Sequence, residues 1–124
     1  MSMKYTEDHE WVRIEDDGSG TVGITEYAQE QLGDLVFVEL PDLDDISQGD
    51  EAAVVESVKA AGEVKSPVSG LITAVNEELN DEPSKVNAEH VGDGWIFKLK
   101  LSDESELTGL MDDAAYQEYV ESLG

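Results

Sequence analysis

Val54-Val55-Glu56-Ser57-Val58-Lys59-Ala60-Ala61-Gly62-Glu63-Val64-Lys65-Ser66-Pro67-Val68-Ser69-Gly70 reads as strand, turn, strand. An apolar lead-in from Ala52 to Val55 enters the turn, and a second apolar segment leaves it. The Ser66-Pro67-Val68-Ser69-Gly70 run then turns the chain again. This places Lys59, between Val58 and Ala60, at or near a hairpin tip. A lysine at a bend is easily solvated, so taken alone it is an ordinary surface residue.

The segments on either side are strand-like too. Trp11-Val12-Arg13-Ile14-Glu15 alternates apolar and polar, Asp16 to Gly20 is a turn cluster, and Thr21-Val22-Gly23-Ile24 returns as the second arm of a hairpin. Thr25 is a good helix N-cap, Glu26 suits the first turn, and Gly33 suits the C-terminal end. Leu35 to Leu40 reads as an apolar strand ended by Pro41, and Asp42 to Asp50 as a polar loop. Gly70 to Asn76 is a further strand, Glu77 to Pro83 an acidic connection, Ser84 to Asn87 a short extended or turn segment, Gly92-Asp93-Gly94 a turn, and Trp95 to Leu101 the last strand. From Leu107 the apolar period changes to three and four, which predicts a short helix around 104–110 and a longer one around 112–122. The expectation is one mainly β domain over 1–124, two antiparallel sheets in a sandwich or flattened barrel, with a helical tail about 104–123. The strand groups of about 34–58 and 61–101 are of similar design, joined by the lysine turn, which fits a quasi-two-fold arrangement.

Composition narrows the function classes. The 124 residues carry 30 Asp and Glu against 7 Lys and Arg, a net charge of −23. Such a field repels nucleic acid. It also opposes compaction unless salt screens it, and the screening length falls from about 10 Å at 0.1 M to about 3 Å at 1 M. A salt-rich, halophilic host cytoplasm is one expectation; docking on basic enzyme surfaces is another, and both can hold. There is no cysteine, hence no disulfide. The start of the chain shows no signal peptide, and no run approaches the ~20 apolar residues that span a bilayer, so a soluble cytoplasmic protein is expected.

The ordered segments resemble the glycine cleavage system H proteins. His9-Glu10-Trp11-Val12 is similar to their start, Val22 to Gln29 and Leu32-Gly33-Asp34 to their helix signature, and Val36-Phe37-Val38-Glu39-Leu40-Pro41 follows at the matching distance. Glu56-Ser57-Val58-Lys59-Ala60, Ser66 to Gly70 and Val75-Asn76 resemble the modification hairpin and the strand beyond it. Pro83, Val86-Asn87, Gly94-Trp95, Leu110-Met111 and Tyr116 complete the order. Asp44-Asp45 stand where the family usually has a glycine. The resemblance implies a barrel-sandwich hybrid with lipoic acid amide-linked to Lys59. It implies a non-catalytic carrier shuttling an aminomethyl group between a glycine decarboxylase (P protein) and an aminomethyltransferase (T protein). A lipoamide dehydrogenase (L protein) would reoxidise it, and a lipoate ligase or lipoyl transferase would modify it. A monomer is expected.

By the same resemblance, Asp8, Glu10 and Glu63 are candidates to hold the protonated amine of the cargo, against the plain reading that they are solvated carboxylates. Lys65 is the rival lysine, but its neighbours Val64 and Ser66 fit no acylation context. His9 reads as structural, His90 as a loop residue, Trp95 and Phe97 as core, and Tyr27 stays open. The two histidines are too far apart for metal-ligand spacing, so no metal is assigned. Gly18 to Gly20 opens no helix and is not a phosphate loop. Biotin carriers resemble one another in methionines flanking the lysine, where this chain has Val58 and Ala60. An enzyme would need a triad or metal cluster that the sequence lacks. An H-like lipoyl relay outside glycine cleavage is not separable from the main reading by sequence.

Overall fold

Alternation decides the first hairpin. In the computed structural model, which describes residues 2–33, 35–58, 60–83 and 95–123, β2 (Glu10–Ile14) pairs antiparallel with β3 (Ser19–Ile24), and Val12 lies opposite Val22. Both are fully buried. The connecting turn uses Gly18 at φ 85°, and the Asp17 carboxylate accepts the Ser19 N–H at 2.9 Å. Ahead of them, β1 (Ser2–Tyr5) adds to β2. Its four residues alternate polar and apolar, a run too short to mark a strand by itself.

The remaining elements follow in order. Helix α1 (Glu26–Leu32) begins at Thr25, whose hydroxyl accepts the Ala28 N–H, and ends at Gly33, whose φ of 85° is a conformation that favours glycine. Strands β4 (Leu35–Glu39), β5 (Asp45–Ile46), β6 (Glu51–Ser57), β7 (Ala61–Lys65) and β8 (Gly70–Val75) lead to α2 (Glu78–Asp81). Strand β9 (Phe97–Leu101), a 3-10 helix (Glu104–Gly109) and α3 (Asp113–Leu123) complete the chain.

The strands form two antiparallel sheets. One has six strands in the order β1-β2-β3-β9-β8-β5; the other has three, β4-β6-β7. Their facing sides supply the core: Val12, Val22, Ile24, Ile72, Phe97 and Leu99 from the larger sheet, Leu35, Val38, Ala53, Val55 and Val64 from the smaller. Each such side chain contributes about 1.5–3 kcal/mol when fully buried. Turn residues 66–69 carry the chain from β7 in one sheet to β8 in the other, held by Ser66 Oγ donating to the Val68 carbonyl at 2.6 Å. The Glu106 carboxylate reaches back to this turn, accepting the Ser69 N–H at 2.6 Å and its hydroxyl at 2.8 Å.

Several expectations change. The polar loop 42–50 contains β5, and the acidic connection contains α2, whose Leu79 is fully buried. The final strand begins at Phe97, not Trp95. Trp95 is half-buried with Lys98 Nζ 4.8 Å from its ring centre, and Ile96 takes the core position instead. The groups 34–58 and 61–101 each supply strands to both sheets, with β5 of the first in the larger sheet and β7 of the second in the smaller. In β4 a register shift between Leu35 and Phe37 breaks the alternation, so Val36 and Phe37 are 54% and 48% exposed. Ser84 to Asn87, His90 and Gly92 to Gly94 lie outside the described residues. The tail agrees in outline: the 3-10 helix replaces the first expected helix, and α3 falls within a residue of the second.

Candidate functional site

The hairpin is closed by one residue's hydroxyl. The last β6–β7 pair is Glu56 opposite Ala61. Beyond it the Ser57 N–H donates to the Ala60 carbonyl at 2.7 Å. Ser57 Oγ accepts the Ala60 N–H at 3.0 Å and donates to the Ala60 carbonyl at 3.1 Å. Serine in a turn commonly bonds nearby backbone in this way. The clamp leaves Val58 81% exposed. Lys59, next in the chain, lies outside the described residues.

Beside this hairpin is a cavity of about 520 Å³ lined by Asp8, Glu10, Val54, Ala61, Gly62, Glu63 and Lys65. The three carboxylates singled out in the sequence therefore surround one cleft, although Glu63 is more than fifty positions from the other two. They differ in kind. Asp8 and Glu63 are exposed; Glu10 is only 2% exposed. Asp8 Oδ2 stands 4.0 Å from Lys65 Nζ, an exposed pair of small energetic weight.

Glu10 Oε1 accepts the Thr6 hydroxyl at 2.8 Å, and Oε2 accepts the Lys65 N–H at 3.4 Å. The second contact finishes part of the open edge of β7 with a side chain from the opposite sheet. Burial pushes the Glu10 carboxyl up to about 7. The Thr6 and Lys65 hydrogen bonds pull the other way, the Asp8 charge raises it further, and the Lys65 charge lowers it. The cleft thus holds a buried carboxyl whose ionised form is disfavoured by its surroundings.

His9 turns away from the cleft. Its Nδ1 is 2.8 Å from the Tyr116 hydroxyl, and its ring packs against Tyr27, Tyr116 and Tyr119. Tyr27 is thereby placed in an aromatic cluster. Sequence reading placed Tyr119 on the apolar face of the tail helix and Tyr116 in the family pattern, but missed Tyr5 and the gathering of these rings around His9. Among the described residues, no three or more His, Asp or Glu side chains are grouped to hold a metal ion, and no helix is long and apolar enough to cross a membrane.

Two stacked antiparallel sheets, with a clamped hairpin beside an acid-lined cleft, define a carrier domain of the barrel-sandwich hybrid class. The glycine cleavage H-protein family model matches residues 3–123. The glycine cleavage system H protein of Parvibaculum lavamentivorans is 61% identical over 122 residues, 98% of this chain and 97% of the relative. That of Rhodospirillum rubrum is 58% identical over 122 residues, again 98% and 97%. The crystal structure of a glycine cleavage system H protein from Mycobacterium marinum superposes with a TM-score of 0.84 at 34% identity, covering 99% of this chain and 97% of that one. The chain belongs to the glycine cleavage H-protein family, the lipoyl-bearing carriers of that system, and is a carrier component rather than an enzyme.

Proposed function

We propose that Lys59 is the lipoylation site and that Asp8, Glu10 and Glu63 hold the protonated amine of the aminomethyl cargo while it is carried. The supporting observation is the Ser57–Ala60 clamp, which fixes the hairpin around Val58 next to the acid-lined cleft. Lysine suits the task because its long stem ends in an amine that can be acylated. Lipoate, amide-linked there, supplies the dithiol that takes up cargo and electrons. The chain's residues do the rest. The clamp presents the arm to the ligase or transferase, and tethering makes each encounter in a docked enzyme intramolecular, at an effective concentration on the order of millimolar.

In the cleft an ammonium group meets one buried and two exposed carboxylates. A hydrogen bond to a charged group contributes about 1.5–3 kcal/mol. The entering cation also favours the ionised form of Glu10, which offsets the burial that disfavours it.

On this reading the partners are glycine decarboxylase, aminomethyltransferase, lipoamide dehydrogenase and a lipoate ligase or lipoyl transferase, and the carrier works as a monomer in the cytoplasm. The −23 charge suits basic docking surfaces and a salt-rich host. Stability that does not change between low and molar KCl would remove the high-salt part. For the site itself, Lys59→Arg keeps the charge but offers no amine to acylate. Glycine-dependent CO₂ exchange in the reconstituted system should vanish, and retained exchange rejects Lys59.

A further inference from the structure

We propose that His9 is a positioning residue: its bond to Tyr116 lets the C-terminal helix set the backbone that carries Asp8 and Glu10 at the cleft. The inference rests on the reading that those carboxylates hold the cargo amine.

His9 has φ 69°, in the left-handed region. Residues with a Cβ avoid that region unless their surroundings hold them there. Three bonds do so. The His9 N–H donates to the Thr6 carbonyl at 3.1 Å, the His9 carbonyl accepts the Thr25 N–H at 2.9 Å, and Nδ1 meets the Tyr116 hydroxyl at 2.8 Å. The first is a local backbone bond of the turn, and the second comes from Thr25, the residue that caps α1. The third comes from α3, 107 residues away in the chain.

Tyr116 is itself fixed. It is 4% exposed, its ring stacks on Tyr5 at 4.6 Å, and its hydroxyl lies 2.6 Å from Thr25 Oγ1. Thr25 Oγ1 already accepts the Ala28 N–H as the N-cap of α1. A consistent chain is therefore Thr25 hydroxyl donating to Tyr116, and Tyr116 donating to Nδ1 of a neutral His9 protonated on Nε2. Burial among Tyr27, Tyr116 and Tyr119 holds the His9 pKa below its ordinary value, with the Asp8 charge opposing.

The link reaches the cleft in one more step. Thr6 accepts the His9 N–H on its carbonyl and donates its hydroxyl to Glu10 Oε1. A turn that relaxes at His9 moves Thr6, Asp8 and Glu10 together. A left-handed residue between two cleft residues also sets the directions of both.

The test begins with the unmodified chain. Tyr116→Phe keeps the ring stack and removes the hydroxyl; Tyr119→Phe is the matched control, since its ring also packs on His9 but its hydroxyl donates to the Glu7 carbonyl at 3.2 Å. The readout is the Glu10 carboxyl titration by carbon NMR. Beyond burial, the groups that shift it are Thr6, Asp8 and Lys65, with Glu63 across the same cleft. Tyr116→Phe should lower the Glu10 midpoint by about half a unit or more as water gains access, and Tyr119→Phe should not. In the loaded carrier without acceptor enzyme, Tyr116→Phe and His9→Ala should speed ammonia release about threefold to tenfold. His9→Asn should stay close to the unaltered chain, because asparagine tolerates the left-handed region and its Oδ1 can stand in for Nδ1. An unchanged Glu10 midpoint and release rate in Tyr116→Phe, with only a lower melting temperature, would overturn the proposal. If Glu10→Gln does not speed release, the cleft reading fails instead, and the midpoint in the unmodified chain alone decides the His9 link.

Discussion

The two sheets have different work, and their edges show it. The six-stranded sheet is finished by backbone: at its β1 edge Tyr5 and Met111 exchange N–H to carbonyl bonds of 2.8 and 2.9 Å. The three-stranded sheet is finished at β7 by a carboxylate, that of Glu10. The first solution closes an edge and adds stability. The second leaves a buried acid near neutrality beside an open cleft, a poor arrangement for stability and a useful one for holding a cation. The larger sheet is a platform, and the smaller one a display.

If that division holds, the largest losses of stability belong to the platform. Phe97 is fully buried between Val22 and Val75 in the ladder. Phe97→Ala should cost about 3–5 kcal/mol in urea unfolding. A loss near 1 kcal/mol would mean the larger sheet is not the stabilising half.

The cleft should behave in the opposite sense. The Glu10 carboxyl rises from 4.5 to about 7 on folding. As pH climbs through that window the unfolded chain releases its proton first, so stability falls with rising pH and levels off above about 7. Glu10→Gln removes this dependence. At pH 8 we expect a gain on the order of 1–2 kcal/mol, after allowing for the Lys65 N–H bond that an amide serves less well, and no gain near pH 4. Urea unfolding at both values checks it; a loss at pH 8 would show the carboxylate to be a structural tie after all.

Smaller effects sharpen the same contrast. Ser57→Ala removes both hydroxyl bonds of the hairpin clamp and should cost about 1 kcal/mol, while slowing lipoyl attachment with the fold intact. Unchanged attachment kinetics would detach the clamp from function. Phe37→Ser, at a 48% exposed position on the display sheet, should fall within about 0.5 kcal/mol of zero by thermal unfolding. A larger loss would mean its side chain packs more than its exposure suggests.

How far the sequence could be read follows from the range of each interaction. The β2–β3 hairpin, the capped α1 and the tail helix are local patterns, and each was legible within about a dozen residues. Strand β1 was not, because Ser-Met-Lys-Tyr alternates over only four residues, too short a run to decide a strand without its pairing to β2. Strand β5, two residues long, exists only against β8. The bulge that turns Val36 and Phe37 outward is a property of pairing, not of either strand. Trp95 misleads because a large aromatic reads as core, while the neighbouring Ile96 fills that place.

The site divides in the same way. Lys59 is singled out by the family pattern, since its hairpin alone reads as that of an ordinary surface lysine. Asp8, Glu10 and Glu63 were named by resemblance alone, for nothing in their spacing places them around one cleft. That Glu10 is buried while its two companions are exposed depends on its position against the β7 edge of the opposite sheet, and no local pattern encodes it.

The central claim is that Lys59 carries the arm. Intact mass of the protein purified from its own host, with peptide mapping, tests it most directly. The account predicts one lipoyl amide, on the peptide containing Lys59, with Lys65 unmodified. A bare Lys59 in material that supports full glycine cleavage, or the arm found on Lys65, would contradict it.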